Sequence, residues 1–305
     1  MLDRLARRPR PLRRLLRQMM TALIAPAMAA AMAGGATADL PRLDVTPKTV
    51  RQGDCVFVVV QPGQVAPAAG ECKWLGTRYP LFAVPSGYRA ILPVPPDTAA
   101  GIRFVVVVLT DPAGETRQTE LPLTVVKRQF AVQKLRMTQK ATRLYTDPAA
   151  AQEGKTIHAA LTQISDEQLW HGAFAWPYKG RVSTDFGAAR SINGRIDYRH
   201  NGLDIAAPAG APVYAPAGGM VKLVRQDYKL HGKTVVIDHG QGVSSLYLHL
   251  SQIAVKEGQG VAEGDLIGSV GSTGAATGPH LHWGVYIAGQ AVDPRFWINL
   301  PQVGR

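Results

Sequence analysis

Gly278-Pro279-His280-Leu281-His282-Trp283-Gly284-Val285-Tyr286-Ile287 decides how this chain is read. Leu281, Trp283, Val285, Tyr286 and Ile287 are the apolar, aromatic and β-branched residues of a strand. On a strand, residues i and i+2 share a face, roughly 6.5–7 Å apart. His280 and His282 therefore look the same way, so that one can bind a metal while the other reaches the atom bound to it. Two earlier fragments carry the same chemistry: His200-Asn201-Gly202-Leu203-Asp204 and Leu246-Tyr247-Leu248-His249-Leu250-Ser251. Imidazole and carboxylate are the usual nitrogen and oxygen ligands of zinc. Fully extended, His200 and Asp204 would stand about 13 Å apart, too far to share an ion. Asn201-Gly202 is a turn dipeptide that bends the chain between them. Tyr247, two residues before His249, is expected on its face, either packed or donating to substrate. His158, His171, His231 and His239 lie outside these blocks and read as packed or solvated residues.

The three blocks, in this order and set among glycine turns, resemble the lysostaphin-type (LytM-domain) zinc endopeptidases of peptidoglycan. That family has a His-x-x-x-Asp block, then Tyr-x-His, then His-x-His. The wider pattern agrees: Val182-Ser183-Thr184-Asp185-Phe186-Gly187, Gly202 to Pro208, Val213 to Val221, Val235 to Gly240, Gly264 to Gly271, and Thr273-Gly274. The resemblance spans about residues 175–296. It implies that His200, Asp204 and His282 hold Zn2+ and that His249 and His280 are catalytic, without deciding which of the two is the general base. Three protein ligands also leave a fourth tetrahedral position for water, as a catalytic zinc site requires. The substrate implied is the peptide cross-link of peptidoglycan, so stem peptides are the expected partner. Arg190, Arg195 and Arg199 flank the first block and could meet stem-peptide carboxylates. The rival reading is a non-catalytic LytM-domain regulator that activates cell-wall amidases. Intact His200, Asp204, His249, His280 and His282 argue against it.

Composition sets the frame. At 305 residues the chain has room for two domains, and 22 prolines and 31 glycines suit turn-rich β structure. Of the formal charge of +12, half belongs to the first 38 residues, where seven arginines stand against Asp3. The remainder is mildly basic and gives no support to nucleic acid as a partner; it favours an acidic polymer. The arginine-rich start, an apolar run from about Met19 to Met32 and Ala36-Thr37-Ala38 read as a secretory signal. The run is too short to span a bilayer comfortably. A periplasmic chain beginning at Asp39, with no stable membrane span after cleavage, is expected. Cys55 and Cys72 are either one disulfide or two separate buried thiols.

The expected fold is mainly β. Residues 39–128 read as an immunoglobulin-like β-sandwich, from the runs Val56–Val60, Tyr79–Val84, Arg103–Leu109 and Leu121–Val126 and the Pro/Gly turns between them. This domain carries no catalytic constellation and is a candidate for binding an envelope protein partner, or a spacer. Residues 129–172 read as a connector with a helix from about Asp147 to Trp170. Residues 173–305 read as an antiparallel β metallopeptidase domain.

Overall fold

The computed structural model describes residues 41–63, 66–136 and 138–300, with backbone alone at 140–141 and 195–197. The expected signal segment, residues 1–38, lies outside the described residues. The chain is mainly β. It begins with β1 (Arg42–Thr46), β2 (Thr49–Arg51), β3 (Cys55–Gln61), β4 (Ala69–Trp74), β5 (Thr77–Pro80), β6 (Phe82–Val84), β7 (Gly87–Pro93), β8 (Gly101–Thr110) and β9 (Thr116–Val126). These form two sheets, ordered β1-β3-β7-β6 and β2-β9-β8-β4-β5. Val45, Val58, Trp74, Leu92, Val107 and Leu123 are buried together in a core drawn from both. The pairing is antiparallel except for β2 beside β9, which is parallel. Cys55 and Cys72 are free thiols. They lie in different cores, Cys72 in that of the two sheets and Cys55 in the larger one that follows. Burial pushes both up, Cys72 to about 12. Of the two readings left open by the sequence, two separate buried thiols is the one observed.

The middle of the chain supplies β10 (Val132–Leu135), α1 (Gln139–Thr146) and α2 (Pro148–Leu161). Asp147 caps α2 by accepting from the Ala149 amide, and Pro148 occupies the first turn, where its missing N–H is harmless. Ala150, Glu153, Ile157, Ala160 and Leu161 form its buried stripe. The helix is shorter than the expected span from Asp147 to Trp170. It closes at Leu161 with the Thr162 amide donating to His158. The next residues are drawn into pairing with residues 238–241: the Gln241 amide donates to Ser165, the Leu169 amide to His239, and Ser165 Oγ to Asp238.

The remainder builds β11 (Val182–Thr184), β12 (Ala189–Ile192), β13 (Arg195–Arg199), β14 (Leu203–Ala206), β15 (Pro212–Tyr214), β16 (Gly219–Tyr228), β17 (Gly232–Gly240), β18 (Val243–Leu250), β19 (Gln252–Ile253), β20 (Gly260–Val261), β21 (Leu266–Ser269), β22 (His280–Ile287), β23 (Gln290–Val292) and α3 (Pro294–Ile298). The principal sheet runs β11-β14-β22-β18-β17-β16-β20, with β23 alongside β22. Its central strands are buried on both faces, which explains the unbroken Val235-Val236-Ile237 run. Among the described residues no helix is long and apolar enough to cross a membrane.

Residues 41–300 share their packing. Phe57 of β3 sits against Phe296 and Trp297 of α3, at 6.2 Å between ring centroids in each case. Trp170 meets Trp297 edge-on at 5.2 Å. Arg89 of β7 stacks over Trp170 at 5.0 Å and donates to Gln168 and Gln241. Arg128 pairs with Asp293 at 2.8 Å. Cys55, Phe57 and Ile91 belong to the same core cluster as Leu203, Val235 and Trp283. Truncating Phe57 removes a fully buried ring from this seam. Phe57→Ala should cost about 3–5 kcal/mol, read by chemical denaturation. Tryptophans on both sides of the seam, Trp74 and Trp297, should report one cooperative transition before and after the change; two separated transitions in the wild-type chain would contradict a shared core.

Candidate active site

Pairing brings the sequence-predicted residues together. β14 lies against β22 in a register that sets Asp204 opposite His282 and Ala206 opposite His280. β18 borders β22 on its other side, with Leu248 opposite His282. His200 directly follows β13, and the turn at Asn201-Gly202 returns the chain into β14, as the turn dipeptide predicts. Gly202 is required by close approach: a Cβ there would lie 2.4 Å from the Trp283 carbonyl oxygen and 2.9 Å from His282 Nε2.

Three donor atoms converge. His200 Nε2 is 2.8 Å from Asp204 Oδ1, His282 Nδ1 is 2.9 Å from the same oxygen, and the two nitrogens are 3.0 Å apart. His200 Nδ1 donates to the Asp185 carbonyl at 3.0 Å. A carbonyl can only accept, so this bond fixes the tautomer and leaves the Nε2 lone pair turned inward. A lone pair facing a carboxylate oxygen repels it unless a cation or proton lies between them. The set therefore has the electron-pair chemistry of a metal site. Tetrahedral zinc with bonds of about 2.0–2.1 Å implies ligand separations of about 3.3 Å, slightly wider than those here. Burial disfavours charge on Asp204, but a proton or cation shared with His200 and His282 outweighs it and holds the carboxyl below the ordinary range. Burial is also the main reason that His282 falls to about 4.

His249 and His280 stand beside this group, their rings 5.0 Å apart. His249 Nδ1 donates to the Thr273 carbonyl and His280 Nδ1 to that of Gly278, both at 2.8 Å. Each ring thus keeps a lone pair on Nε2, and His280 Nε2 is 3.8 Å from Asp204 Oδ1. Burial, then the neighbouring His282 and His280, lower His249 to about 3, so it is neutral near pH 7. His249 has φ 62. For a residue with a Cβ this left-handed conformation costs about 1–3 kcal/mol and persists only where the surroundings enforce it.

That twist overturns the expected placement of Tyr247. The alternation of a strand puts Tyr247 on the face of His249, but the cleft is lined by Leu246, Leu248 and His249 instead. Tyr247 is fully buried among the core residues and donates to Ser245 at 2.8 Å. Ser245 donates to His239 Nε2 and His239 Nδ1 donates to the Gly218 carbonyl, both at 2.7 Å. His239 is thus a satisfied core histidine, and Tyr247 a packing residue.

Two of the flanking arginines have partners within the protein. Arg190 Nη2 donates to Asp204 Oδ2 at 2.5 Å, Nε to Gln133 and Nη1 to Tyr198. Arg199 pairs with Asp97 at 2.7 Å and donates to the Gly187 carbonyl. Both are engaged by the protein, and both also line the cleft. The side chain of Arg195 lies outside the described residues. Arg190 is the partner of Asp204 that sequence reasoning missed: fourteen residues of chain and a strand reversal separate them, and no local pattern links them. A cleft of about 720 Å3 contains all five predicted residues and continues along Tyr145, Ile157, His158 and Leu161 of the connector.

The profile of Peptidase family M23 matches residues 198–294. The crystal structure of a candidate M23 peptidase from Pseudomonas aeruginosa is 30% identical, with a TM-score of 0.60 over 82% of this chain and 95% of that one. This chain belongs to peptidase family M23. The peptidoglycan DD-endopeptidase ShyA of Vibrio cholerae is 43% identical over 117 residues, covering 38% of this chain and 27% of that protein. The DD-carboxypeptidase/endopeptidase Mpg of Neisseria meningitidis is 43% identical over 114 residues, covering 37% and 26%. The matched stretch thus spans about a quarter of each of these relatives.

The buried relay at His239 makes a pH prediction. Burial, against the bond to Gly218, lowers this imidazole from 6.5 to about 4. The unfolded chain then takes the proton first as pH falls. Its share of stability is complete above the unfolded value of 6.5 and is lost progressively as pH falls toward 4. The total is about 3 kcal/mol. His239→Gln, which cannot charge, should flatten that limb in denaturant titrations from pH 7 to 4; an equally steep limb in the variant would show that other groups carry it.

Proposed function

We propose that this chain is a zinc-dependent endopeptidase that hydrolyses peptide cross-links of peptidoglycan. The observation that carries the reading is the pairing of a His200/Asp204/His282 donor set with two imidazoles whose inward nitrogens are free to move protons. Zinc held by this set would supply Lewis acidity at the scissile carbonyl. The chain's own residues do the rest. Asp185 and Arg190 orient and charge-balance the ligands. The Nε2 atom of His249 or His280 accepts a proton from the attacking water and returns it to the leaving amine. The other imidazole, once it has taken up a proton from solvent at Nε2, donates to the developing oxyanion. In each ring the Nδ1–H points at a carbonyl oxygen, which leaves Nε2 for proton transfer. The names of the ShyA and Mpg relatives support a DD-bond between stem peptides as the substrate class. The assembled set of five side chains also favours hydrolysis over the regulator alternative.

The two-sheet N-terminal part, residues 39–128, is in this reading an immunoglobulin-like domain that steadies the catalytic domain and offers a surface to an envelope partner. A cell-wall substrate also requires export, which the N-terminal signal pattern supplies. Sequencing of chain recovered from the periplasmic fraction should begin at Asp39; a chain that begins at Met1 and sediments with membranes would contradict this.

Ligand and catalyst separate by mutation. His282→Ala should lose both zinc, by elemental analysis, and cleavage of a defined cross-linked muropeptide. His249→Ala and His280→Ala should each keep about one zinc per chain while kcat falls by roughly 10²–10⁴. Stoichiometric zinc in His282→Ala would remove it from the ligand set. Zinc loss in His249→Ala would add that residue to the set.

A further inference from the structure

We propose that Glu153, on the connector helix α2, is a positioning residue of the active site, acting through the 229–231 turn on His249. The proposal rests on the endopeptidase reading above for its kinetic consequence, while the geometry stands by itself. Glu153 lies outside the residues matched by the family profile, which begin at 198. It is a charged residue on the buried stripe of a helix, 6% exposed, between Ala150 and Ile157. A carboxylate survives such burial only if its oxygens are bonded, and they are. Oε1 accepts from the Lys229 amide at 2.6 Å. Oε2 accepts from the amides of Leu230 and His231 at 3.1 and 3.2 Å and from His231 Nδ1 at 2.9 Å. Burial works against this charge, and the bonds from the turn more than offset it, leaving the carboxyl below its usual value.

The turn it clamps reaches the catalytic ring in one further step. The His231 carbonyl accepts from the His249 amide at 3.1 Å. Leu230, next to it, accepts from the Ala275 amide at 2.9 Å. The Lys233 amide donates to Thr273 Oγ1 at 2.9 Å, and the Thr273 carbonyl accepts His249 Nδ1–H at 2.8 Å. Gly232 makes this contact close enough: at φ +67, a Cβ would lie 2.4 Å from Thr273 Oγ1. The two carbonyls that fix the backbone and the ring of His249, those of His231 and Thr273, thus belong to two loops bonded to each other, one of which is gripped by Glu153. His249 is left-handed at φ 62 and needs such enforcement. The connector helix is in this sense part of the catalytic apparatus.

The test compares the full chain with Glu153→Gln, which keeps the shape but places an amide donor against the N–H groups of the turn. Lys155→Ala, on the exposed side of the same helix, is the control. On a defined cross-linked muropeptide, kcat should fall roughly ten- to a hundredfold. KM and zinc content should stay near wild type, and long-range 1H–15N spectra should show His249 leaving its Nδ1–H tautomer. A residue that only anchors the helix would lower Tm and leave kcat and the His249 tautomer unchanged; that result overturns the proposal. Should Glu153→Gln fail to fold, Glu153→Asp, with the carboxylate drawn back by one methylene, decides by the same readings. If the wild-type chain cleaves nothing, the endopeptidase reading fails, while the tautomer of His249 in the variants still decides whether Glu153 positions it.

Discussion

A carboxylate taken out of water has to be compensated, and Asp204 is compensated on both of its oxygens. Oδ1 faces His200 and His282; Oδ2 receives Arg190. The first pair requires that β14 and β22 keep their register, since a slip of one residue would turn Asp204 to the other side of the sheet, and that the turn after β13 carry His200 back beside them. The second requires that the β12–β13 hairpin fold back over the cleft. Arg190 is in turn held by Gln133 of β10, so the connector's path is tied to the same charge. Leaving either side unpaired would strand a buried charge, which is strongly destabilising. Much of the arrangement around the cleft therefore follows from one aspartate.

The N-terminal sheets pack directly against the part of the chain that carries the cleft. A buried guanidinium, Arg89, crosses the junction with amide oxygens and an aromatic face for partners but no carboxylate, and burial lowers it to about 10. Such a group tolerates little displacement, because its hydrogen bonds are directional and its desolvation has already been incurred. With Phe57 seated against α3, Cys55, Phe57 and Ile91 of β3 and β7 join the core of the sheet that carries the cleft, while the two N-terminal sheets keep a core of their own. The connector helix completes that body from the cleft side.

What the sequence discloses follows the range of its signals. The converging side chains of His200, Asp204 and His282 were legible because each depends on a local rule: a turn dipeptide, or the two-residue period of a strand. Strands β3, β8 and β9 were legible from β-branched runs, whereas β4 and β7, with Gly70, Lys73, Arg89 and Pro93, lack that signature. Tyr247 was misplaced because the alternation rule assumes extended backbone, and nothing in Leu248-His249-Leu250 announces a positive φ at a histidine. The partners of Arg190 and Arg199 lie across strand reversals or in the other half of the chain, beyond any local pattern. Glu153 did carry a signal, a lone acid on the apolar stripe of α2, but only the fold shows which amides it meets.

The central claim is that one cleft joins a metal-binding triad to two proton-transferring imidazoles for the hydrolysis of a cell-wall peptide. Its most direct test is digestion of purified peptidoglycan by the full chain, with the released fragments identified by mass. The account predicts cleavage between stem peptides with the glycan strands left whole, abolished by a chelator and restored by zinc. Zinc-loaded, folded protein that releases nothing, or cleavage that persists after the metal is stripped, would contradict it.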